Sequence, residues 1–593
     1  MAADLVVNIP FVAAIAVVLG ASGIPLAFWL LRAEKLSALD KLFIGYTMGW
    51  VGVPLIFTLE TIVGILYSPL WIWVNWLALM MAGLFLLLKD NSFPNASSIQ
   101  KWAGALLADP KGALGANIAP LFMLLIMVVS TLITLSAAGG LLYELDPYFY
   151  LDGVRQVIYE GHNFLNDQTA WYPVAQSSHL GNPLFKYLLA PWFSIYNGSA
   201  PYSPYTLVGV GSVYPPLAQA LAVFFAFLLF REMYNGRAGV LAAGLVGSVP
   251  FFILKFQGGD AQIVPYSIFA LFFFLALFYM ALKRESKAIT ALSVLAFATI
   301  VLGSNIDILI SLCLAIFFFA MGLRHLNRPD AQSLRQIIWL LAGMTVFEVL
   351  ALIYYQTTSP GSWATNLAEY VILPAAAFAL PLAIDRLAAR FAPGAGALKR
   401  TAACIIGAAV VGLVLLHLPV FSSILDTFRF WVSYAQPLTR TIAEQAPGTA
   451  SYDDMLGFVS MQLTGQPGLV GAVLSILGLI NAIPTMIFNF ALNSAASLVN
   501  GFLSSNGQPG TLLVLDRANS MMVLFLFWGI ALLSAALVAA ARANRQWPIY
   551  ALLLLAFIIP VTFMSLEKEK LITYLAIALV FAAVSFFGEL EEL

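Results

Sequence analysis

Apolar runs of about twenty residues recur along the whole chain, separated by short polar punctuation, and this pattern sets the fold class before any motif is considered. The runs begin with Phe11–Leu31 and continue near residues 43–66, 70–88, 117–138, 212–231, 237–255, 263–283, 287–304, 306–323, 337–355, 367–385, 401–421, 519–541, 547–566 and 571–588. Each is long enough to cross roughly 30 Å of hydrocarbon as a helix. A segment in lipid must satisfy its backbone hydrogen bonds internally, so about fifteen such runs predict an all-α polytopic membrane protein. Only Asp4 is charged before the first run, and no small-residue cleavage site follows it, so the reading is a retained helix. Residues 466–503 are apolar but, counted as one crossing, would place Arg542 and Arg545 on the wrong side. They are read as a re-entrant hairpin or surface-lying pair broken near Pro484.

Composition agrees with that class: 61% of residues are hydrophobic, 10% are charged, and the mean hydropathy is +0.91. A net charge of -1 argues against a nucleic-acid partner. Cys313 and Cys404 lie inside apolar runs, where thiols act as small core groups, so neither a disulfide framework nor a cysteine metal site is expected. Basic residues cluster in alternate loops, at Arg32/Lys35/Lys41, Lys89/Lys101/Lys111, Arg231/Arg237, Lys283/Arg284/Lys287, Arg324/Arg328/Arg335, Arg386/Arg390/Lys399/Arg400 and Arg542/Arg545. The positive-inside rule makes those loops cytoplasmic and the N-terminus external. The same bookkeeping puts the long loop 139–211, Gly258-Gly259-Asp260, a late loop at 422–518 and Glu567–Lys570 on the outer face. Residues 1–90 are expected to hold extra N-terminal membrane helices, and 91–116 a cytoplasmic connector punctuated by Pro94 and Pro110.

Asp and Glu total only 29 of 593 residues, so acids gathered at the outer mouths of the spans carry information. Asp146 follows an outgoing run and precedes Pro147; Asp260 follows two glycines between an outgoing and a returning run; Glu444 lies in the late outer loop. Three carboxylates from distant segments on one face suit a hard divalent cation, Mn2+ or Mg2+, which takes oxygen ligands and leaves positions for a substrate phosphate. Ordinary solvated loop acids are the alternative for any one of them alone. Glu60, Asp307 and Glu348, within or near spans, are candidates for an ion or proton pathway.

These residues also carry a resemblance. Glu144-Leu145-Asp146-Pro147-Tyr148-Phe149, followed by Arg155, Gly161, Asp167 and Trp171-Tyr172-Pro173, resembles the first outer loop of the oligosaccharyltransferase catalytic subunit. Val213-Tyr214-Pro215-Pro216, Gly258-Gly259-Asp260-Ala261-Gln262, Thr441-Ile442-Ala443-Glu444 and Lys570-Leu571-Ile572-Thr573-Tyr574 resemble its later signatures, in order. The similarity spans residues 117–590 and implies the transmembrane bundle of the C-type glycosyltransferase superfamily. It implies an integral protein of an archaeal plasma membrane, working on the outer face. The reaction implied moves a glycan from a polyprenyl (pyro)phosphate carrier to Asn of an acceptor polypeptide by an inverting displacement. Asp146, Asp260 and Glu444 would hold the metal, and Asp146 and Glu444 would also orient the acceptor amide. Lys570 and Lys568 would hold donor phosphate, with Arg155, Trp171, Tyr172, Gln262 and Thr441 as further substrate-binding positions.

The departures from the family pattern matter as much. Gln262 stands where a second acid or a His is common, so the missing charge is sought at Glu144 or Asp152, and Lys570 replaces an Arg that grips phosphate with two parallel bonds. The chain reaches Leu593 without a Trp-Trp pair, so no globular outer domain carrying the sequon-reading motif is expected here. A separate subunit supplying that domain is one expectation; an acceptor other than a sequon, or an inactive scaffold paralogue, are others. A lipid or sugar transporter is the alternative class, although no inverted halves are visible.

Overall fold

The computed structural model describes residues 7–90, 110–136, 138, 146–162, 181–304, 306–327, 329–358, 364–391, 403–408, 410, 519–542, 547–567 and 572–592. Every regular element among the described residues is helical. Eight helices among these residues are long and apolar enough to cross a membrane. The chain divides into two compact units.

The first unit comprises Met1–Gly247, Lys255–Ile310 and Asp330–Ile372. It opens with α1 (Ile9–Ala21), α2 (Ile24–Leu30), α3 (Ala38–Ile62) and α4 (Pro69–Lys89). The break between α1 and α2 falls at Ser22-Gly23, so the first span is two helices in series. Glycines permit the close crossing with α3: a Cβ on Gly23 would lie 2.4 Å from the Gly45 carbonyl oxygen, and one on Gly49 would lie 2.0 Å from that of Gly20. Small residues that let backbones approach are what drives helix association where lipid removes the hydrophobic effect.

Next come α5 (Pro110–Leu135), α6 (Asp146–Glu160), α7 (Pro183–Asn197), α8 (Pro204–Met233), α9 (Gly236–Ser248) and the last two residues of α10 (Pro250–Phe256), whose earlier part falls in the second unit. The unit is completed by α11 (Ile263–Arg284), α12 (Lys287–Gly303), the start of α13 (Asp307–Asn327) and α14 (Ala331–Thr358). Helices α8 and α11 are almost wholly buried and form its centre, flanked by α5 and α12. Their seam is aromatic, with Phe225 against Phe273 at 4.8 Å and Phe269 stacked on Phe273 at 5.9 Å.

Two boundaries differ from the sequence reading. Helix α8 begins at Pro204, eight residues before the expected run at 212 and inside the stretch read as loop, because Ser203 caps it through a bond to the Thr206 N–H and Pro204 sits at a first-turn position that needs no donor. The run at 237–255 is not one helix: α9 stops at Ser248 and Pro250 opens α10, since proline cannot supply the N–H a continuous helix would need.

One end of this unit gathers charge. Arg231 grips Asp40 with two bonds of 3.0 Å, Arg284 donates to Glu232 at 2.6 Å and to the Lys35 carbonyl at 3.3 Å, and Ser286 hydrogen-bonds Glu34. Three of the basic loops expected to share a side therefore meet at one end. Asp40 also completes a capping box with Ser37 at the start of α3.

The second unit comprises Ser248–Leu254, Ser311–Pro329 and Leu373–Leu593. It includes the later parts of α13 and of α15 (Ala364–Phe391), and α16 (Asn519–Arg542), α17 (Ile549–Glu567) and α18 (Ile572–Glu592), which pack as a three-helix group. Gly529 lets α16 approach α18, where a Cβ would sit 2.7 Å from that of Ala582. Arg324 donates to the Trp547 carbonyl at 2.9 Å. Cys313 and Cys404 are buried free thiols, as expected. The segment 466–503, read as a hairpin, lies outside the described residues.

Candidate functional site

The end of the first unit opposite the Arg231–Asp40 pair carries the residues singled out for chemistry. Between α10 and α11 the chain turns through Gln257–Gln262, with Gly259 at φ +107°, a conformation that favours glycine. Gly258 N–H donates to the Thr134 carbonyl at 2.8 Å, and a Cβ on Gly258 would lie 2.5 Å from Cα and Cβ of Ala138. The turn is thereby pressed against the end of α5. It is tightened further by bonds from Asp260 N–H to the Gln257 carbonyl and from Gln262 N–H to the Asp260 carbonyl.

This turn buries Asp260, which is 3% exposed. A carboxylate in such a place needs compensation. Lys255 Nζ stands 3.8 Å from its Oδ2, and the Gln262 side-chain amide donates to its Oδ1. Tyr214 O–H on α8 donates to the Gln262 carbonyl at 2.9 Å, fixing the entry to α11.

Asp146 is the first residue of α6 and is exposed, with Pro147 in the first turn. An acid there is favoured by the helix dipole. Helix α6 lies on α8 where Leu151 fills the space over Gly211, and a Cβ on that glycine would meet Leu151 Cδ2 at 2.9 Å and Ala261 Cβ at 3.5 Å. The α6 helix and the Asp260 turn therefore meet at one glycine. Phe185 of α7 joins them from below, 6.0 Å from the Tyr150 ring, 5.3 Å from Tyr214 and 6.3 Å from Tyr266. Burial, with the Asp146 carboxylate adding to it, pushes the Tyr150 phenol up to about 12, so it stays a neutral donor near Asp146.

A second cluster lies behind α6. Arg155 donates to Asp152 at 2.6 Å, and Lys186, 2% exposed on α7, lies across Gly153 so closely that a Cβ there would meet its Cε at 2.7 Å. Burial lowers the Lys186 amine to about 7, and the Asp152 carboxylate opposes that shift. Asp152, weighed from sequence as a replacement charge for Gln262, is instead engaged by Arg155; six residues beyond Asp146, it projects about 120° away around the helix.

Of the residues named from sequence, Asp146, Arg155, Asp260 and Gln262 are described, and the structure assembles Asp260 with Gln262 beside the helix that begins at Asp146. Trp171, Tyr172, Thr441, Glu444, Lys568 and Lys570 lie outside the described residues, as does Glu144. Among the described residues no three His, Cys, Asp or Glu side chains converge. Carboxylate oxygens are the donor type a hard cation takes, and the Asp260 carboxylate is buried, facing the Lys255 ammonium and accepting from the Gln262 amide. Sequence reasoning missed Lys255, Tyr150 and Lys186. The first had a signal, a cation five residues before an acid across a Gly-Gly turn. Of the acids noted in or near spans, Glu60 accepts from the Asn75 amide at 3.0 Å, and Glu348 is buried on α14.

Residues 121–592 match the family described as oligosaccharyl transferase STT3, N-terminal. The chain belongs to that family. A rice (Oryza sativa subsp. japonica) relative, the dolichyl-diphosphooligosaccharide–protein glycosyltransferase subunit STT3A, is 26% identical over 198 residues, which is 32% of this chain and 24% of the relative. The archaeal oligosaccharyltransferase AglB of Archaeoglobus fulgidus, solved with an inhibitory peptide and a dolichol-phosphate, aligns with a TM-score of 0.52 and 17% identity over 80% of this chain and 50% of that one. The A. fulgidus enzyme tethered to an acceptor peptide containing an NVT sequon gives 0.50 and 17%, with the same coverage. The chain thus spans about a quarter of the rice relative and half of the archaeal ones. As an all-helical membrane protein it shares the fold of that region of the STT3 family. The α1–α4 segment precedes the matched residues.

Proposed function

We propose that this STT3-family chain transfers a glycan from a polyprenyl (pyro)phosphate carrier to Asn of an acceptor polypeptide, on the outer face of an archaeal plasma membrane. The observation that carries the reading is the meeting of the Asp146 helix and the buried Asp260 turn at Gly211, in a chain whose residues 121–592 belong to this family. Glu444, from the late outer loop, is the third acid of the site in this reading. These oxygens would hold Mn2+ or Mg2+, which when bound would supply positive charge to the departing phosphate.

The residues divide the work in a definite way. Asp146, at the exposed start of α6, accepts an N–H of the acceptor amide and, with Glu444, holds the nitrogen in line behind the anomeric carbon, a contribution of positioning. The nitrogen–carbon bond forms as the bond from that carbon to phosphate oxygen breaks, and the amide proton passes to a carboxylate. Asp260 stays fixed in its turn. Lys568 and Lys570 draw the phosphate, and Trp171 and Tyr172 face the glycan or acceptor. Gln262, engaged with Asp260, acts by orienting that carboxylate. Support for a carrier and a peptide as substrates comes from the archaeal relatives, one solved with a dolichol-phosphate and one with a tethered acceptor peptide.

The test is transfer in membranes containing the full chain, supplied with extracted lipid-linked glycans, Mn2+ and a peptide bearing Asn-x-Thr. Mass spectrometry should find the glycan on Asn with the native residues and lose it with Asp146→Ala or Glu444→Ala. Peptide left unmodified by wild-type membranes, while a different acceptor gains the glycan, would replace Asn as the acceptor.

A further inference from the structure

Helix α6 begins at Asp146 and ends at Glu160, so that Gly161, the next residue, lies about 22 Å from Asp146 by helical rise. Its far end is held by residues that precede the part of the chain matching the STT3 family. Tyr67, in the turn between α3 and α4, donates its backbone N–H to the Gly161 carbonyl at 2.6 Å. Gly161 has φ +76°, and a Cβ there would meet Leu66 Cβ at 2.9 Å. The same turn grips α7: the Tyr67 hydroxyl bonds Ser194 at 2.8 Å, and Thr61 at the end of α3 bonds the Tyr187 hydroxyl at 2.6 Å. Phe57 packs between these two rings, 5.1 Å from Tyr67 and 5.6 Å from Tyr187. Tyr67 and Tyr187 are both buried. At the other end of α3 the Asp40–Arg231 pair ties the same helix to α8.

We infer that the α3–α4 turn is a positioning clamp for the outer helix that carries Asp146, with Tyr67 as its central residue. A rigid helix fixed at its C-terminus by this turn and in its middle by Leu151 over Gly211 has its first residue located as well. The membrane helices that precede the family-matching region thus serve the site and are more than padding. This inference rests on the reading of Asp146 as part of a transfer site, but the clamp itself can be measured without transfer.

The experiment uses the full chain in nanodiscs with nitroxide labels at Tyr148→Cys, exposed in the first turn of α6, and Leu70→Cys, exposed on α4. Native Cys313 and Cys404 are buried. Double electron–electron resonance should give one narrow distance in the parent, a broadened or shifted one with Tyr67→Ala and with Gly161→Ala, and a parental one with Tyr67→Phe, which keeps the ring. In the unlabelled variants kcat should fall at least fivefold with the acceptor KM changed less than twofold, and Tyr67→Phe should restore it. An unchanged distance in both Tyr67→Ala and Gly161→Ala overturns the clamp, and so does loss of hydrogen-exchange protection throughout α11, which would mean general unfolding. If the parent transfers nothing while the distances respond as described, the clamp stands and the transfer reading fails.

Discussion

Replacing Asp40 by Ala tests how the N-terminal helices are bonded to the centre of the first unit. The carboxylate is buried, with its side chain 3% exposed, and accepts both Arg231 nitrogens at 3.0 Å as well as the Ser37 backbone N–H at 3.0 Å. Removing one partner of a buried pair costs about 3–5 kcal/mol, because the other charge is left uncompensated. Losing the capping interaction adds about 1 kcal/mol. Two features reduce the total: the Arg231 side chain is 21% exposed, and Glu232 stands 3.7 Å from it. The net expectation is about 3 kcal/mol, or roughly a hundredfold in a local opening equilibrium. Hydrogen exchange of peptides covering residues 38–50 and 227–233 should therefore quicken by about two orders of magnitude. Adding Arg231→Met should recover much of the loss, since an apolar pair of similar volume leaves no orphaned charge. Exchange within threefold of the parent in Asp40→Ala, or a double variant no better than the single, would refute the reasoning.

Other outcomes follow from the same geometry. The unfolded chain holds the Lys186 proton up to its ordinary value near 10.5 and the folded chain releases it at about 7, so the unfolded state binds more protons between those values and stability rises with pH across that window. The opening free energy of α7, taken from exchange after division by the intrinsic rate at each pH, should rise between pH 7 and 9 by up to about 1.4 kcal/mol per pH unit, level off below pH 7, and lose this dependence in Lys186→Met. Gly49→Leu, which forces a side chain toward a carbonyl oxygen 2.0 Å from its Cβ, should destabilise the α1–α3 crossing by about 3 kcal/mol, visible as protease cleavage near Ser22. Gly258→Ala should push the Asp260 turn off Ala138 and abolish transfer while leaving exchange in α8 unchanged.

The membrane spans were legible because lipid allows few solutions: a run of about twenty apolar residues must close its own hydrogen bonds. The grouping of basic loops was legible too, since Lys35, Arg231 and Arg284, assigned to one side by charge counting, meet at one end of the first unit. The Asp260 turn could be read because Gly-Gly before an acid leaves few alternatives. What stayed hidden was pairing across distance. Nothing local links Asp40 to Arg231, 191 residues on, or Tyr67 to Gly161. Lys186 sits in an apolar, aromatic stretch that gives no sign it would be buried beneath Gly153, and the opening of α8 at Pro204 was hidden by a segment whose Tyr, Gly and Ser content resembles loop.

The central claim is that Asp146, Asp260 and Glu444 act together on one glycosyl transfer. Its most direct measurement is quantitative mass spectrometry of the acceptor peptide after incubation with lipid-linked glycan and Mn2+, comparing the parent with Asp146→Ala, Asp260→Ala, Glu444→Ala and the triple variant in membranes of matched protein content. Residues that act as a unit are strongly non-additive, so each single variant should lose transfer by at least a hundredfold and the triple should be little worse than any single. Near-parental glycopeptide from any one of the three single variants would contradict the account.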